Sequence, residues 1–350
     1  MSAALGLSKA TAGFIASANY LGYLTGALLA ATPFVAGSRR RWLIIALAVS
    51  AATTAAMGLT SSPAAFLVLR FVGGVASAFG LVFASALILD RLAAAGRSEL
   101  SAVHFAGVGT GITISAALVS TLMELGLDWR ALWLATGGLS LVALVLVPAL
   151  VPDLREPTAA AAAARGRPRG LPSLVAAYGL FGFGYVITAT FLVAIVRASV
   201  DVRRLEPVVW IVVGLTAVPS VALWTWTGRR IGNARAFALA SLLEALGVTA
   251  SVVWVATPGI LLAAALLGGT FMGLTALGLI QARQLGSGDP QRTLAIMTAA
   301  FGLGQIVGPA FAGVVYDASG SFVASSLVAA GALLIGAVLT MRGAARDNTP

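Results

Sequence analysis

The sequence predicts an all-α polytopic membrane protein, and three observations carry that reading. First, 59% of its residues are hydrophobic and 10% charged, with a mean hydropathy of +0.98, which leaves too little polar surface to wrap a soluble globule. Second, apolar runs of membrane-crossing length recur along the whole chain. Third, the basic residues fall in short clusters between those runs and not on one face, so the net charge of +10 signals membrane orientation, not a nucleic-acid partner.

The runs fall at about 11–35, 42–60, 64–89, 101–122, 131–151, 174–196, 207–227, 235–256, 259–281, 293–316 and 321–341. Only helices and closed barrels satisfy the backbone in lipid, and these runs are too long and continuous for barrel strands, so each is read as a transmembrane helix. That gives eleven spans and leaves no soluble domain. The third span is the pivotal one, because Arg70 sits inside it, about 10 Å past Pro63 at 1.5 Å per residue and near the limit of snorkelling. Gly73, Gly74 and Gly80, with Ala76, Ser77 and Ala78, give the same helix a small-residue face on which neighbours can approach closely. It reads as a bundle-interior helix whose arginine faces a polar cavity.

With Arg70 set aside, sixteen basic residues lie in one set of loops, among them Arg39 to Arg41, Arg165, Arg167, Arg169, Arg229 and Arg230; five lie in the other, Lys9, Arg130, Arg197, Arg203 and Arg204. The positive-inside rule puts the first set in the cytoplasm, with the C-terminus inside and the N-terminus outside. Met1 to Ala10 has no basic n-region, apolar h-region or cleavage site, so it is no signal peptide. There is no cysteine for disulfide or thiolate chemistry, and the single His104 cannot build a metal site. Residues 152–173, with REPTAAAAAARGRPRGLP at their heart, read as a solvated cytoplasmic linker whose arginines can touch anionic lipid. They divide the chain into an N-terminal half of five helices, 1–151, and a C-terminal half of six, 174–350.

The halves repeat at an offset of about 195 residues: Gly73-Gly74 falls on Gly268-Gly269 and Gly109 on Gly304, while GSRRR from Gly37 echoes GRRIG from Gly228. Spans one to five pair with spans seven to eleven. Span six has no partner, and its twin would lie before Met1. The full pattern is therefore twelve helices, and DNA upstream of Met1 is expected to encode in frame one more apolar span, absent here through a start-site error or a real truncation.

Two such halves joined by a basic loop resemble the major facilitator superfamily. SANYLGYLTGALL from Ser17, YGLFGFGYVITATFL from Tyr178, GGTFMGLTALGL from Gly268 and MTAAFGLGQIVGPAFAG from Met297 resemble, more narrowly, the bacterial YbfB/YjiJ-type group. The resemblance covers nearly the whole chain and implies a secondary transporter of the bacterial inner membrane. It places Arg70 and Gly74 on the superfamily's Arg-x-x-x-Gly pattern, with Gly73 where Gln is common. Arg39 and Arg230 fall on the loop motif of the inner gate, whose Asp is missing from both loops. Gly304-Gln305-x-x-Gly308-Pro309 looks like the antiporter motif but stands in the second half; Gly107-x-Gly109-x-Gly111 in the first half lacks the proline. Read from the residues alone, Pro309 removes a helix donor and the glycines allow tight crossing, so this helix either rocks or forms a static seam.

Tyr178, Tyr185 and Thr188, with Phe181, mix rings and hydroxyls on one face of span six, and Asn19, Tyr20 and Tyr23 cluster on span one. Each set is either packing or part of a cavity for an organic solute, and the resemblance sets both beside the central cavity. Glu244 lies near the middle of span eight, where an unpaired carboxylate is costly; it is the candidate proton-coupling residue, against a lipid-facing or structural role on a helix that the resemblance makes peripheral. His104 reads as interfacial, and Asp90 and Asp317 as boundary charges. No Gly-x-x-x-x-Gly-Lys-Ser/Thr loop binds ATP, and no His, Asp, Glu or Cys cluster at membrane depth supports an intramembrane enzyme. The expected protein is a monomeric, proton-coupled transporter of a small organic solute, surrounded by lipid and without cofactor or metal. Efflux antiport and uptake symport stay open, and a non-transporting membrane scaffold is the alternative from another class.

Overall fold

The computed structural model describes residues 1–32, 34–35, 37–97, 100–151, 170–285 and 290–347. Among them lie eleven α-helices: α1 (Lys9–Ala30), α2 (Arg39–Ala56), α3 (Pro63–Ala94), α4 (Ser101–Glu124), α5 (Trp129–Leu150), α6 (Leu171–Ala198), α7 (Glu206–Ile231), α8 (Asn233–Val253), α9 (Thr257–Leu285), α10 (Pro290–Ser319) and α11 (Val323–Asp347). Every apolar run is a helix. Several begin on side-chain caps: Ser8, Ser38, Ser62 and Asp128 accept from the backbone N–H groups of Thr11, Arg41, Ala65 and Ala131, and Pro63 stands where a helix needs no donor. Ten helices are long and apolar enough to cross a membrane; α1 carries Lys9, Asn19 and two tyrosines, which lower its apolarity. The heart of the 152–173 linker, residues 152–169, lies outside the described residues.

The bundle has an Arg-rich face, at the turn from α1 into α2, and an opposite face, where α1 begins. Within the first five helices α1 packs on α3, and α2 packs on α3 and α5; within the last five α7 packs on α9, and α8 on α9 and α11. The two sets meet through α1 against α10 and α4 against α7. Near the opposite face, both Asp317 carboxylate oxygens accept from the start of α1, Lys9 N and Ala10 N at 3.0 Å each. At the other junction the Ser120 hydroxyl donates to the Pro207 carbonyl at 2.6 Å. Asp317 is thus a cap that ties α10 to α1, more than a boundary charge.

These junctions set the register of the repeat. A shift of 197 residues carries Ser120 onto Asp317 and Ala10 onto Pro207, joining the two inter-half contacts by one operation. It aligns Gly107 and Gly111 with Gly304 and Gly308, and not Gly109 with Gly304 as the sequence offset of about 195 has it. Gly109 instead packs on the α7 backbone, where a Cβ would lie 2.5 Å from Val218 N, and so belongs to the inter-half face.

Helix α6 has no counterpart among the described helices. It packs along α10 and α11, and the faces of α4 and α5 related to those are bare. The apolar windows of α4 and α5 are each only 6% buried, against 33% for α10 and 50% for α11. A cavity of about 470 Å³ opens there, with Ile112, Val119, Leu132 and Trp133 on one wall and Val193 and Trp210 on the other.

Candidate functional site

The site begins with the α1–α3 seam. A Cβ at Gly74 would lie 2.0 Å from the Asn19 carbonyl oxygen, so only glycine lets the two backbones touch. This contact sets the Tyr20 phenol where the charge of Arg70 acts on it, and Tyr20 also faces Thr190 on α6. The Arg70 guanidinium lies 5.8 Å from the centroid of the Trp133 ring on α5. Residues of α1, α3 and α5 therefore gather at one arginine, with Thr190 of α6 facing Tyr20. Among the described residues no carboxylate pairs with it; the ion pairs described are Arg39–Asp90 and Arg197–Glu206, both elsewhere. The Thr190 hydroxyl oxygen is buried without a hydrogen-bond partner.

Beside Tyr20 stands a block of rings in the C-terminal half. Tyr185 stacks nearly parallel to Phe301 and Phe271, with centroids 5.7 and 6.0 Å away, and Phe181 lies 5.1 Å from it. The Gln305 side-chain amide donates to the Tyr185 hydroxyl. Pro309, lacking an N–H, leaves the Gln305 carbonyl without its helical donor, so one residue is loosened in the backbone and tied through its side chain. Gly304 and Gly308 press α10 on α6, and the Pro309 carbonyl faces Gly13 of α1. The Gly-Pro run thus sits where α10 crosses both α6 and α1.

Other candidates are placed differently. Tyr178 is buried, donates to the Thr275 carbonyl at 3.4 Å and lies tilted against Phe301; Thr188 is fully buried, with its hydroxyl unpartnered. Both belong to the packed interior of the C-terminal half in this conformation. Asn19 contributes backbone to the seam with Gly74, and Tyr23 lies on α1 one turn beyond it. Arg39 salt-bridges Asp90 of α3 at 2.6 Å, so the acid missing from the loop motif is supplied from a neighbouring helix of the same half. Arg230 lies 5.3 Å from the ring of Trp226, one turn earlier on α7. His104 meets the Ser85 hydroxyl at 2.9 Å, linking α4 to α3.

Glu244 has no exposed surface. It faces Thr270 of α9 and not lipid, with one carboxyl oxygen 2.8 Å from the Thr270 hydroxyl and the other unpartnered. The same hydroxyl lies 2.6 Å from the Leu266 carbonyl. A hydroxyl has one proton and a carbonyl only accepts, so both contacts are satisfied together when the Glu244 carboxyl is protonated and itself donates.

Sequence reasoning missed Trp133, Thr190 and Thr270. Nothing in the order of residues sets a tryptophan near the start of α5 beneath an arginine 63 positions earlier; Thr190 was within reach, as the second hydroxyl of the Thr188–Thr190 pair.

A bundle of two related helix sets, meeting at α1–α10 and α4–α7 around a charged residue at membrane depth, is the architecture of a secondary transporter. The chain belongs to the MFS-type transporter family described as "Uncharacterised MFS-type transporter YbfB", whose family model matches residues 1–341. Its fold is similar to that of a point mutant of the nucleoside transporter NupG, with TM-score 0.76 and 16% identity over 98% of this chain and 93% of that one. NupG without that substitution gives TM-score 0.70 at 16% identity over 100% and 93% of the two chains. The human organic anion transporter MFSD10 (TETRAN) gives 0.59 at 16% identity over 97% and 87%. No curated protein sequence matches significantly. The protein is a multi-pass membrane transporter of a small-molecule solute, not an enzyme.

Proposed function

We propose that this protein carries a small organic solute across the bacterial inner membrane by alternating access, coupled to protons, as a monomer with a cytoplasmic C-terminus. The observation that carries the reading is Arg70: a permanent charge on a membrane-spanning helix, between α1 and α5, with no carboxylate paired to it among the described residues. Alternating access is supported by cavities that lie between the two helix sets around a few inter-half contacts. Ala10–Asp317 and Ser120–Pro207 hold the halves together near the opposite face, while a cavity of about 320 Å³ separates Leu89, Leu92 and Phe105 from Thr225, Leu279 and Arg283 near the Arg-rich face. The cavity of about 470 Å³ between Trp133 and Trp210 lies nearer the opposite face, so space is left between the helix sets toward both ends. The domain division at 152–173 fits the same picture, each half moving as a unit about α1–α10 and α4–α7.

Sidedness is testable because the chain has no cysteine. Cysteines introduced at Ser199 and Ser287 are expected to label from opposite sides of the membrane, Ser199 from outside; Ser287 lies outside the described residues. Labelling from one side would overturn the topology.

Proton coupling rests on Glu244, the one acidic residue in the middle of a span, whose contacts with Thr270 suit the protonated form. In proteoliposomes, Glu244→Gln is expected to remove solute accumulation driven by a pH gradient while solute exchange persists. Unchanged gradient-driven accumulation in Glu244→Gln would leave Glu244 a structural residue.

A further inference from the structure

We infer that the solute bound at Arg70 is an organic anion, carrying a carboxylate. The inference rests on the transport reading above and adds to it the chemical class of the solute. The groups that converge here are donors: the Arg70 guanidinium has five N–H groups and no acceptor, and the Tyr20 and Thr190 hydroxyls can each give a proton. The buried Thr190 hydroxyl faces the Tyr20 phenol, so two hydroxyls stand on the α1–α6 side of the site. Trp133 offers a ring 5.8 Å from the guanidinium, which orients it without neutralising it.

The chain cannot supply the missing anion from its own span residues. It has twelve acidic residues, and Glu244 is the only one in mid-span; it is engaged with Thr270 on α9. Of the acids at the opposite face, Asp128 caps α5, Glu206 pairs with Arg197 and Asp317 caps α1, while Glu124 and Asp201 stand at the outer helix ends, away from mid-span. A guanidinium at this depth does not deprotonate, and leaving it unpaired is costly, so a bound anion is the ligand that completes the site. A carboxylate fits best, since its two oxygens match the planar fork and leave lone pairs for the hydroxyls.

The test is thermal stabilisation and equilibrium binding on the purified chain, with benzoate, hexanoate and succinate each compared with its own primary amide. At least one acid is expected to bind at least about tenfold more tightly than its amide, the scale of a charge-assisted pair. Arg70→Lys should keep part of that preference and Arg70→Ala none, while Thr190→Val weakens the acid and leaves the amide unchanged. If no acid exceeds its amide on the wild-type chain, or if the preference survives intact in Arg70→Ala, the inference is wrong. The wild-type acid–amide comparison stands even if a variant fails to fold. Uptake into proteoliposomes separates the two levels: an acid that binds through Arg70 but is never carried refutes transport and keeps the anion site, whereas uptake of a neutral solute alone keeps transport and refutes the anion site.

Discussion

Gly304→Leu should yield no monodisperse folded protein, whereas Gly107→Leu, at the related position of the first half, should yield protein as stable as the parent chain. At Gly304 an added Cβ would stand 2.2 Å from the Gly179 carbonyl oxygen and 2.5 Å from the Phe183 nitrogen. Both are backbone atoms of α6, and neither can rotate away. Relief requires separating α6 from α10 along their whole contact, which costs more than the usual 1–3 kcal/mol or so of an overpacked core side chain. At Gly107 nothing lies within 4 Å, and the face it occupies is bare because no described helix stands where α6 stands in the other half. Leucine there adds helix propensity of about 1 kcal/mol over glycine and meets no neighbour. Detergent size-exclusion profiles and thermal unfolding of the two variants decide the matter. Equal damage at both positions would mean that the α4 face is covered after all; a further helix seated against Gly107 and Gly111 would have that effect.

Arg70→Ala is expected to reduce transport to background while the folded monomer is recovered in normal yield, with Arg70→Lys markedly impaired. Removing one partner of a buried ion pair costs about 3–5 kcal/mol because the other charge is stranded. Arg70 strands nothing: no carboxylate among the described residues pairs with it, and its replacement forfeits the ring contact with Trp133, worth about 0.5–2 kcal/mol. Stability should therefore be nearly unchanged while function disappears, a separation that a purely structural arginine cannot give. Lysine keeps the charge but loses the planar fork of donors, hence the partial defect. Stability and transport must be read on the same preparations. A destabilised Arg70→Ala whose surviving fraction transports normally would remove Arg70 from the mechanism.

Much of the architecture was legible in the residues. All eleven helices, the two-fold repeat, the unpaired status of α6 and the singular position of Arg70 follow from apolar run length, loop chemistry and one misplaced charge. The candidate site was legible only in part. Tyr20 lies where the charge of Arg70 acts on it, and Gly304 to Pro309 lie at a crossing of three helices, but Tyr178 and Thr188 turn into the packed C-terminal half. Glu244, for which a lipid-facing position was one reading, turns inward to Thr270. A glycine spaced two residues off, Gly109, had suggested a repeat register that the hydrogen bonds of Asp317 and Ser120 correct.

The division between the two levels has one physical cause. In lipid each helix must satisfy its own backbone hydrogen bonds, so the number, length and order of helices are local properties written in the chain. Which face of a helix meets protein and which meets lipid is not written there in the same way, because lipid tails are as apolar as a packed core and no hydrophobic contrast marks the buried stripe. That choice is made by close contacts such as Gly74 on Asn19 and Gly304 on Gly179, and by the few polar groups that find partners across helices. The sequence by itself determined a membrane bundle with a charge inside it; the tertiary structure alone decided that Trp133 and Tyr20 stand by that charge and that, among the described residues, no acid pairs with it.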